Sequence, residues 1–399
     1  MIATAFHEVL SREKSMAMAD GLEYFPPDYA AARLMFRAAC DAAGLSIDTM
    51  VNPSGPGPSG ETLACDMAWA GPPSAPRVLL CISGTHGFEG PAGSSTQIGW
   101  LKSGAAKLLP KDVAVLLVHA LNPWGYAWVS RLTENNVDLN RNFIDWPKAP
   151  PQNPFYHHVR DLIRVNDMSP ATLMTLIANF NKLVAEIGPA KAQVAADYGQ
   201  YEDPEGITYG GNAPEFGHRV IRDAVAPRLQ KASHVGLVDL HTGVGAYGEI
   251  AYLPLGGRSE ANLSRIGKWW GDARVRGWKR SVAEELVEND PSIKDLPNVK
   301  SGQLPHELHR FVPKAKLNGA TVEFGTAESD DRRELVFITL YERFLRFVDR
   351  GNRMDPRHAM FRAAALKAFV PQDPAWRAMV VREGPKIIAD AVAGLALEG

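Results

Sequence analysis

Val78-Leu79-Leu80-Cys81-Ile82 runs without a polar break into Ser83-Gly84-Thr85-His86-Gly87-Phe88-Glu89-Gly90. The first half, led by Arg77, reads as a strand, and the second half as a glycine-rich loop dense in polar groups. An unbroken apolar strand suits a sheet covered on both faces. Residues able to do chemistry, placed just past its carboxyl end, sit where open α/β sheets bind ligands. Three further runs repeat the arrangement. Val113–Ala120 ends at Asn122-Pro123, Val235–Leu240 ends at His241, and Ala320–Phe324 contains Glu323. Helical patterns lie between them, at Ser94–Leu101 and Ala213–Gln230. This alternation predicts an α/β fold with a mainly parallel, twisted mixed sheet flanked by helices.

Outward from these runs, Asp28–Ala43 repeats alanine and apolar residues at helical spacing and should end near Gly44. Residues 52–60 (NPSGPGPSG) are turn-rich and read as a loop or hairpin connection. Residues 145–230 form a long excursion, expected to lie as an insertion on the rim of the sheet beside a substrate pocket. Residues 332–399 read as helices with breaks at Gly351–Pro356 and Pro371–Pro374. Neither internal repeat nor low-complexity tract divides the chain. The expectation is one catalytic domain over 1–399, with 1–60 as an amino-terminal helix-and-loop flank.

Bulk properties remove several classes of function. The chain has 399 residues, 45% hydrophobic and 22% charged, enough for a sizeable core. The net charge of -2 and the absence of a basic run argue against nucleic acid as a partner. No apolar stretch is long enough to cross a bilayer, which argues against a membrane. The first residues show no secretory pattern. The three cysteines, Cys40, Cys65 and Cys81, are too sparse for a disulfide framework or a cysteine metal site, and they read as buried, reduced thiols. A cytoplasmic protein is therefore expected, with homo-oligomerisation left open.

Four strand-end clusters carry chemistry. His86 and Glu89, three apart among glycines, can converge on one cation. His241 can supply a second nitrogen, and two histidines with a glutamate leave one position of a catalytic site open. The cluster of Asn122-Pro123-Trp124-Gly125, Arg131 and Val137-Asp138-Leu139-Asn140-Arg141-Asn142-Phe143 offers a planar, charge-assisted grip for a carboxylate from Asn140 and Arg141. It also offers a separate arginine for an amide oxygen gaining charge. Glu323, set among apolar residues, can act as a general base. Each piece alone has an ordinary explanation: a loop histidine, a capping aspartate, an outward strand glutamate. Asp239 stands two residues before His241 and should share its face of the strand. Trp124, Tyr126 and Trp128 could line an apolar subsite, with core packing at least as natural. His306-Glu307-Leu308-His309 lacks the helical zinc-protease spacing and reads, like His157-His158, as an ordinary surface stretch.

The ordered series His86-x-x-Glu89, Asn122-Pro123-x-Gly125, Arg131, Asp138-x-Asn140-Arg141-Asn142, His241, Glu323 resembles the zinc metallocarboxypeptidases. It also resembles their acylase relatives, the aspartoacylases and succinylglutamate desuccinylases. Ser83-Gly84-Thr85-His86-Gly87 with Val137–Phe143 is most similar to a bacterial branch known mainly as an uncharacterised domain family. That resemblance covers the chain from about Tyr24 onward. It implies a zinc carboxypeptidase-like fold, an α/β/α arrangement of the phosphorylase/hydrolase kind, with one zinc ion per chain. It implies His86, Glu89 and His241 as ligands and Asp138 as the group orienting the first histidine. Arg131 would polarise the scissile carbonyl, Asn140 and Arg141 would bind a terminal carboxylate, and Glu323 would be the general base. Asp239 is left as a group behind His241 or a substrate contact. Arg131 stands close before Asn140, a spacing nearer that of the acylase relatives. Neither Tyr247 nor Tyr252 can be given the role of the peptidases' catalytic tyrosine.

The expected activity is zinc-dependent hydrolysis of an amide bond beside a terminal carboxylate, as a carboxypeptidase on short peptides. An N-acyl amino acid deacylase of the aspartoacylase type is the alternative. A catalytically silent ligand-binding protein on the same fold is the alternative of another class.

Overall fold

The computed structural model describes residues 21–278, 287, 290–294, 302–327, 333–351 and 353–398. The readings made above for residues 1–20, Arg332 and Gly399 lie outside the described residues. The strands are β1 (Ile47–Pro56), β2 (Thr62–Ala70), β3 (Arg77–Ser83), β4 (Val113–His119), β5 (His234–Thr242), β6 (Ile250–Pro254) and β7 (Lys316–Phe324). They form one sheet in the order β1-β2-β4-β3-β5-β7-β6.

Strands β4, β3, β5 and β7 are parallel neighbours, and they are the four read from the apolar runs. The edges are antiparallel: β1 on β2, β2 on β4, and β6 on β7. The expected mainly parallel sheet is thus a parallel centre with antiparallel margins. Residues 52–60 do connect a hairpin, but β1 continues through Pro56, which pairs with Thr62 across the turn. Proline is tolerated there because β1 is an edge strand and needs no donor on its outer side.

Alternation along the strands sorts the core into two layers. Leu79 and Cys81 of β3 face a cluster that includes Phe36, Trp100, Trp376 and Ile387. Val78, Leu80 and Ile82 face another that includes Phe143, Val220, Leu304 and Leu308. The first layer holds α1 (Tyr29–Ala43), α2 (Gly90–Lys102) and the last long helix, Pro374–Ala396. Helix α1 starts where Asp28 accepts from Ala31 N and stops at Gly44, φ 76°. Helix α2 is buried from Gly90 to Leu101, because the last helix covers the side that the sheet does not. Gly384 makes that approach: a Cβ there would stand 2.3 Å from Thr96 Oγ1.

The second layer holds the segment expected as one helix over Ala213–Gln230. It begins at Phe216, widens to π geometry over Val220–Val225 and ends at Leu229. The helix Leu304–Phe311 lies beside it against the same face. Within the excursion, helices α3 (Pro170–Ile187) and α4 (Pro189–Asp197) stand over a small core of their own. There Tyr156, Ile163 and Leu183 meet Leu340. Towards the carboxyl end come α5 (Arg333–Phe344), α6 (Ala359–Phe369) and α7 (Pro374–Ala396), broken where the glycine and proline pairs fall. Among the described residues, no helix is long and apolar enough to cross a membrane. Cys40, Cys65 and Cys81 are free and buried, and burial pushes the Cys40 and Cys81 thiols up to about 12.

Asp66, fully buried in β2, ties α1 to the hairpin. It accepts from Arg33 Nε at 2.9 Å, Arg37 Nη1 at 3.1 Å and Thr49 Oγ1 at 2.5 Å. Burial pushes its carboxyl up, but the arginines and Thr49 outweigh this and hold it below the usual range. Asp66→Asn should destabilise the fold by about 1–2 kcal/mol at pH 7, since it removes the charge that the partly exposed Arg33 and Arg37 pair with. A depressed carboxyl contributes fully above its ordinary value of about 4. The contribution is lost as pH falls through the depressed value. Urea unfolding of wild type and variant should therefore converge as pH falls below about 4.

Candidate metal centre

The polar loop after β3 turns sharply at Gly84, whose φ of 68° is left-handed. Thr85 then donates its hydroxyl to Asp239 Oδ1 at 2.9 Å. His86 is extended, Gly87–Glu89 is a single 3-10 turn, and Glu89 is the residue that begins α2. That turn brings His86 and Glu89 together despite their spacing. Gly87 permits it by lying flat on the next loop, where a Cβ would be 2.4 Å from Ser130 O.

The second histidine arrives by strand register. His241, near the end of β5, pairs directly with Glu323 of β7, and Asp239 pairs with Thr321. Neighbouring parallel strands therefore set Glu323 beside His241 on one face. His86 Nδ1 lies 2.9 Å from Glu89 Oε1, and His241 Nδ1 lies 3.1 Å from Glu89 Oε2. Ligand atoms of these residues all lie within 4.8 Å of one another, and all three side chains are buried. Among the described residues this is the one group of three or more so placed.

Both outer ring nitrogens face carboxylates. His86 Nε2 is 3.3 Å from Asp138 Oδ1. His241 Nε2 is 2.9 Å from Asp239 Oδ2, close but misaligned, and neither of these two atoms has another hydrogen-bond partner. A ring that carries its hydrogen on Nε2, towards a carboxylate, turns the Nδ1 lone pair inward. With both rings neutral, two such lone pairs would confront the Glu89 carboxylate at hydrogen-bond distance, a conflict that a cation removes and that a proton on His241 relieves in its absence. Such an arrangement fits a cation, with nitrogen and oxygen donors suited to zinc or a similar divalent metal.

The charges agree. Burial pushes the Glu89 carboxyl up, but His86 and His241 outweigh it and hold it well below the usual range. Burial opposes the charge on His241, yet Asp239 and Glu89 raise its pKa well above the ordinary value. Burial, reinforced by Glu89, pushes Glu323 up to about 8 against the pull of His241 and Arg131. A dication beside Glu323 would draw that value down. Two backbone donors steady the carboxylates: Thr242 N–H reaches Glu89 Oε2 at 3.0 Å, and Val244 N–H reaches Glu323 Oε2 at 3.4 Å.

Arg131 spans Asp138, at 3.3 Å from both Nε and Nη2, and Glu89, at 3.5 Å from Nη1. Its side chain keeps 30% of its surface exposed, so it borders the opening rather than the core. Asp138 caps the turn Leu139–Arg141 by accepting from Asn140 N at 2.9 Å. Burial pushes Asp138 up, but Arg131, Arg141 and His86 hold it well below the usual range. Asn140 accepts from Leu304 N at 3.0 Å, while its own Nδ2 makes no bond among the described residues. Arg141 donates to Asn140 O at 2.9 Å and Asp197 O at 2.8 Å, and its carbonyl accepts from Tyr201 at 2.5 Å. The excursion is thereby hooked onto Arg141, an attachment that sequence reasoning missed.

Other candidates fall away from the cluster. Tyr252 is buried in the core against Trp270 at 4.8 Å, and the Tyr247 hydroxyl donates to Asp373 at 2.7 Å. Tyr126 packs with Tyr29 and Leu63, and Trp124 and Trp128 join that cluster, so core packing is their role. Glu307 pairs with Arg310, and His157 lies against His158. Thr85, Thr242 and Val244 went unnoticed, the last two because a backbone N–H leaves no mark in sequence.

The family described as protein of unknown function (DUF2817) matches residues 25–383, and the chain belongs to that family. None of the curated proteins matches the chain. Among solved structures, the carboxypeptidase A of Helicoverpa armigera is 14% identical, with 92% of this chain and 73% of that one covered at a TM-score of 0.40. A metallo-carboxypeptidase from Burkholderia cenocepacia is 14% identical, covering 90% and 70% at 0.34. A succinylglutamate desuccinylase/aspartoacylase family protein from Shewanella amazonensis SB2B is 19% identical, covering 75% and 72% at 0.29. Superpositions this loose do not transfer residue roles.

Elemental analysis should find about one divalent ion per wild-type chain and none after His86→Ala/His241→Ala. Asp138→Asn and Asp239→Asn should keep the ion but weaken its affinity about 10–100-fold in chelator competition. Full occupancy of the double-alanine protein would exclude this centre.

Proposed function

We propose that this DUF2817 protein is a zinc-dependent hydrolase that cleaves an amide bond next to a terminal carboxylate, as a carboxypeptidase on short peptides. The observation that carries the reading is the pair of inward Nδ1 atoms on Glu89, with Glu323 in register beside His241. A binding protein without catalysis has no need of that last carboxylate, buried at 7% exposure.

His86, Glu89 and His241 would hold the zinc ion, which would supply Lewis acidity for the attacking water and the substrate carbonyl. The chain's own groups do the rest. Glu323, fixed through Oε2 by Val244 N–H, takes the proton of the attacking water and hands it to the departing amine. Arg131, steered by Asp138, stands over the carbonyl oxygen as it gains charge. Asp138 and Asp239 hold the two rings with Nδ1 inward. Asn140 Nδ2 and the remaining N–H groups of Arg141 receive the substrate's carboxylate.

The deacylase reading fits the same machinery equally well. Asp197 O holds Arg141 from the excursion side, and Gly199 leaves only enough room for its aliphatic stem. A confined carboxylate subsite suits a small N-acyl amino acid as well as a peptide end. Mass spectrometry of products from peptide and N-acyl amino acid libraries separates the two. Release of a single carboxyl-terminal residue from peptides supports the peptidase, and release of a free acid from N-acyl amino acids alone supports the deacylase.

Glu323→Gln should lower kcat by about 10²–10⁴-fold while retaining the metal. Arg131→Ala should lower it by about 10²–10³-fold. Turnover near the wild-type rate in a Glu323→Gln protein of full metal content would rule out the assigned base.

A further inference from the structure

Arg131 sits on a loop without regular structure, entered through Val129 at a φ of 51°. A β-branched residue rarely adopts that left-handed conformation, so the surroundings must impose it. Part of the restraint is local. Ser130 N–H donates to Gly125 O, and the loop carbonyls of Ser130 and Arg131 accept from Phe88 and Gly87. Those bonds fasten the loop to the metal-site turn itself.

The remainder comes from the far end of the chain. Glu342, on α5, is buried at 3% exposure. Its Oε1 contacts Ser130 Oγ and accepts from Arg353 Nη1 at 3.0 Å, and its Oε2 accepts from Arg131 N–H at 3.4 Å. Arg346 takes the other side of the loop, donating to Glu134 O at 2.7 Å and Thr133 O at 3.0 Å. Both arginines lie over Trp124, at 5.1 and 5.4 Å. A buried carboxylate grips the backbone before the Arg131 side chain, and a guanidinium grips the carbonyls after it. An apolar contact could hold this loop against the core. Only a directional acceptor fixes the peptide plane at Arg131, and with it the direction in which the side chain leaves.

We infer that Glu342 is a positioning residue for the reaction: it sets the Arg131 backbone so that the guanidinium lands between Glu89 and Asp138. The inference rests on the role proposed above for Arg131. Glu342 touches neither the cation site nor substrate, and it acts through Ser130 and the Arg131 N–H.

The test uses the full chain with its metal. Glu342→Gln removes the charge, and Ser130→Ala removes one contact while leaving the Glu342–Arg353 pair intact, in case the first variant folds poorly. Amide hydrogen exchange over residues 130–134 should quicken by about tenfold or more in either variant, with protection in β3 and β5 unchanged. This readout needs no substrate. Metal content should stay at the wild-type level. On whichever amide substrate the wild type cleaves, kcat should fall by about 10–100-fold with KM little altered, as for a misplaced catalytic group. The same substitution made in Arg131→Ala protein should cost less than about twofold, because the two act as one unit. Unchanged exchange over 130–134 overturns the inference whatever the activity. Equal losses of kcat with and without Arg131 overturn it too, since Glu342 would then act elsewhere. A wild type that cleaves no amide defeats the proposed function, and the exchange result still decides whether Glu342 sets the loop.

Discussion

Two imidazole Nδ1 atoms turned onto one buried carboxylate form the constraint around which this molecule is built. Glu89, Asp138, Asp239 and Glu323 lie at 0–7% exposure within one small region. The fixed positive charges against them are Arg131, ion-paired with Glu89 and Asp138, and the more distant Arg141. At the low effective dielectric of an interior, such an excess of negative charge cannot persist without a cation or a proton. The electrostatics of the cluster express the demand: its neighbours favour the charged form of His241, and burial favours the neutral form of Glu323. Both displacements reduce the same negative charge. A dication would satisfy it while leaving both rings neutral and Glu323 free to accept a proton.

Holding such a cluster open requires a frame stiffer than loops. The parallel centre of the sheet supplies it, since β3, β5 and β7 end side by side and the register fixes His241 against Glu323. The excursion supplies a second restraint. Asn136 donates from one amide to Pro204 O and Gly206 O, and Asn142 donates to Gly210 O and Ala213 O. Asn142 Oδ1 also accepts from Glu215 N. Segment 204–215 is therefore knitted to the loop bearing Asp138, Asn140 and Arg141, which makes it scaffold. Helices α3 and α4 pack on a smaller core apart from the main one, and α4 is tied in through Asp197 O to Arg141.

What the sequence disclosed follows from how each residue is surrounded. Strands buried on both faces read as unbroken apolar runs, so the parallel centre was legible. Strand β2 was not, because Asp66 interrupts it, and only its partners Arg33 and Arg37 in another element make that aspartate compatible with burial. Strand β1 carries prolines and a glycine that an edge tolerates and a sequence pattern takes for loop. Of the site, His86, Glu89 and His241 were legible as an ordered set, and the fold does bring them together. Asp239 behind His241 was legible from the two-residue period of a strand. Arg141 was read as a carboxylate grip, and its place as anchor of the excursion was not legible, because its partners there are backbone carbonyls. Glu342 was invisible, separated from Ser130 by 212 residues and embedded in an ordinary helical pattern.

Glu342 belongs to a wider division of labour between the two ends of the chain. The chain up to Glu323 carries the groups around the candidate cation site, and the carboxyl-terminal helices press on the loops that aim them. Phe369 of α6 packs on Phe88, between His86 and Glu89, with ring centroids 4.3 Å apart. Thr326 donates to Ala368 O at 2.5 Å, and Trp376 Nε1 donates to Gly325 O at 2.9 Å, just past Glu323. Each turn that leaves the sheet with a functional side chain thus meets a rigid element before it meets solvent. Loops alone cannot hold a cluster whose own charges repel. Packing from behind makes the approach of Glu89, Asp138 and Glu323 a property of the folded chain, so that a metal has only to complete the site and need not assemble it.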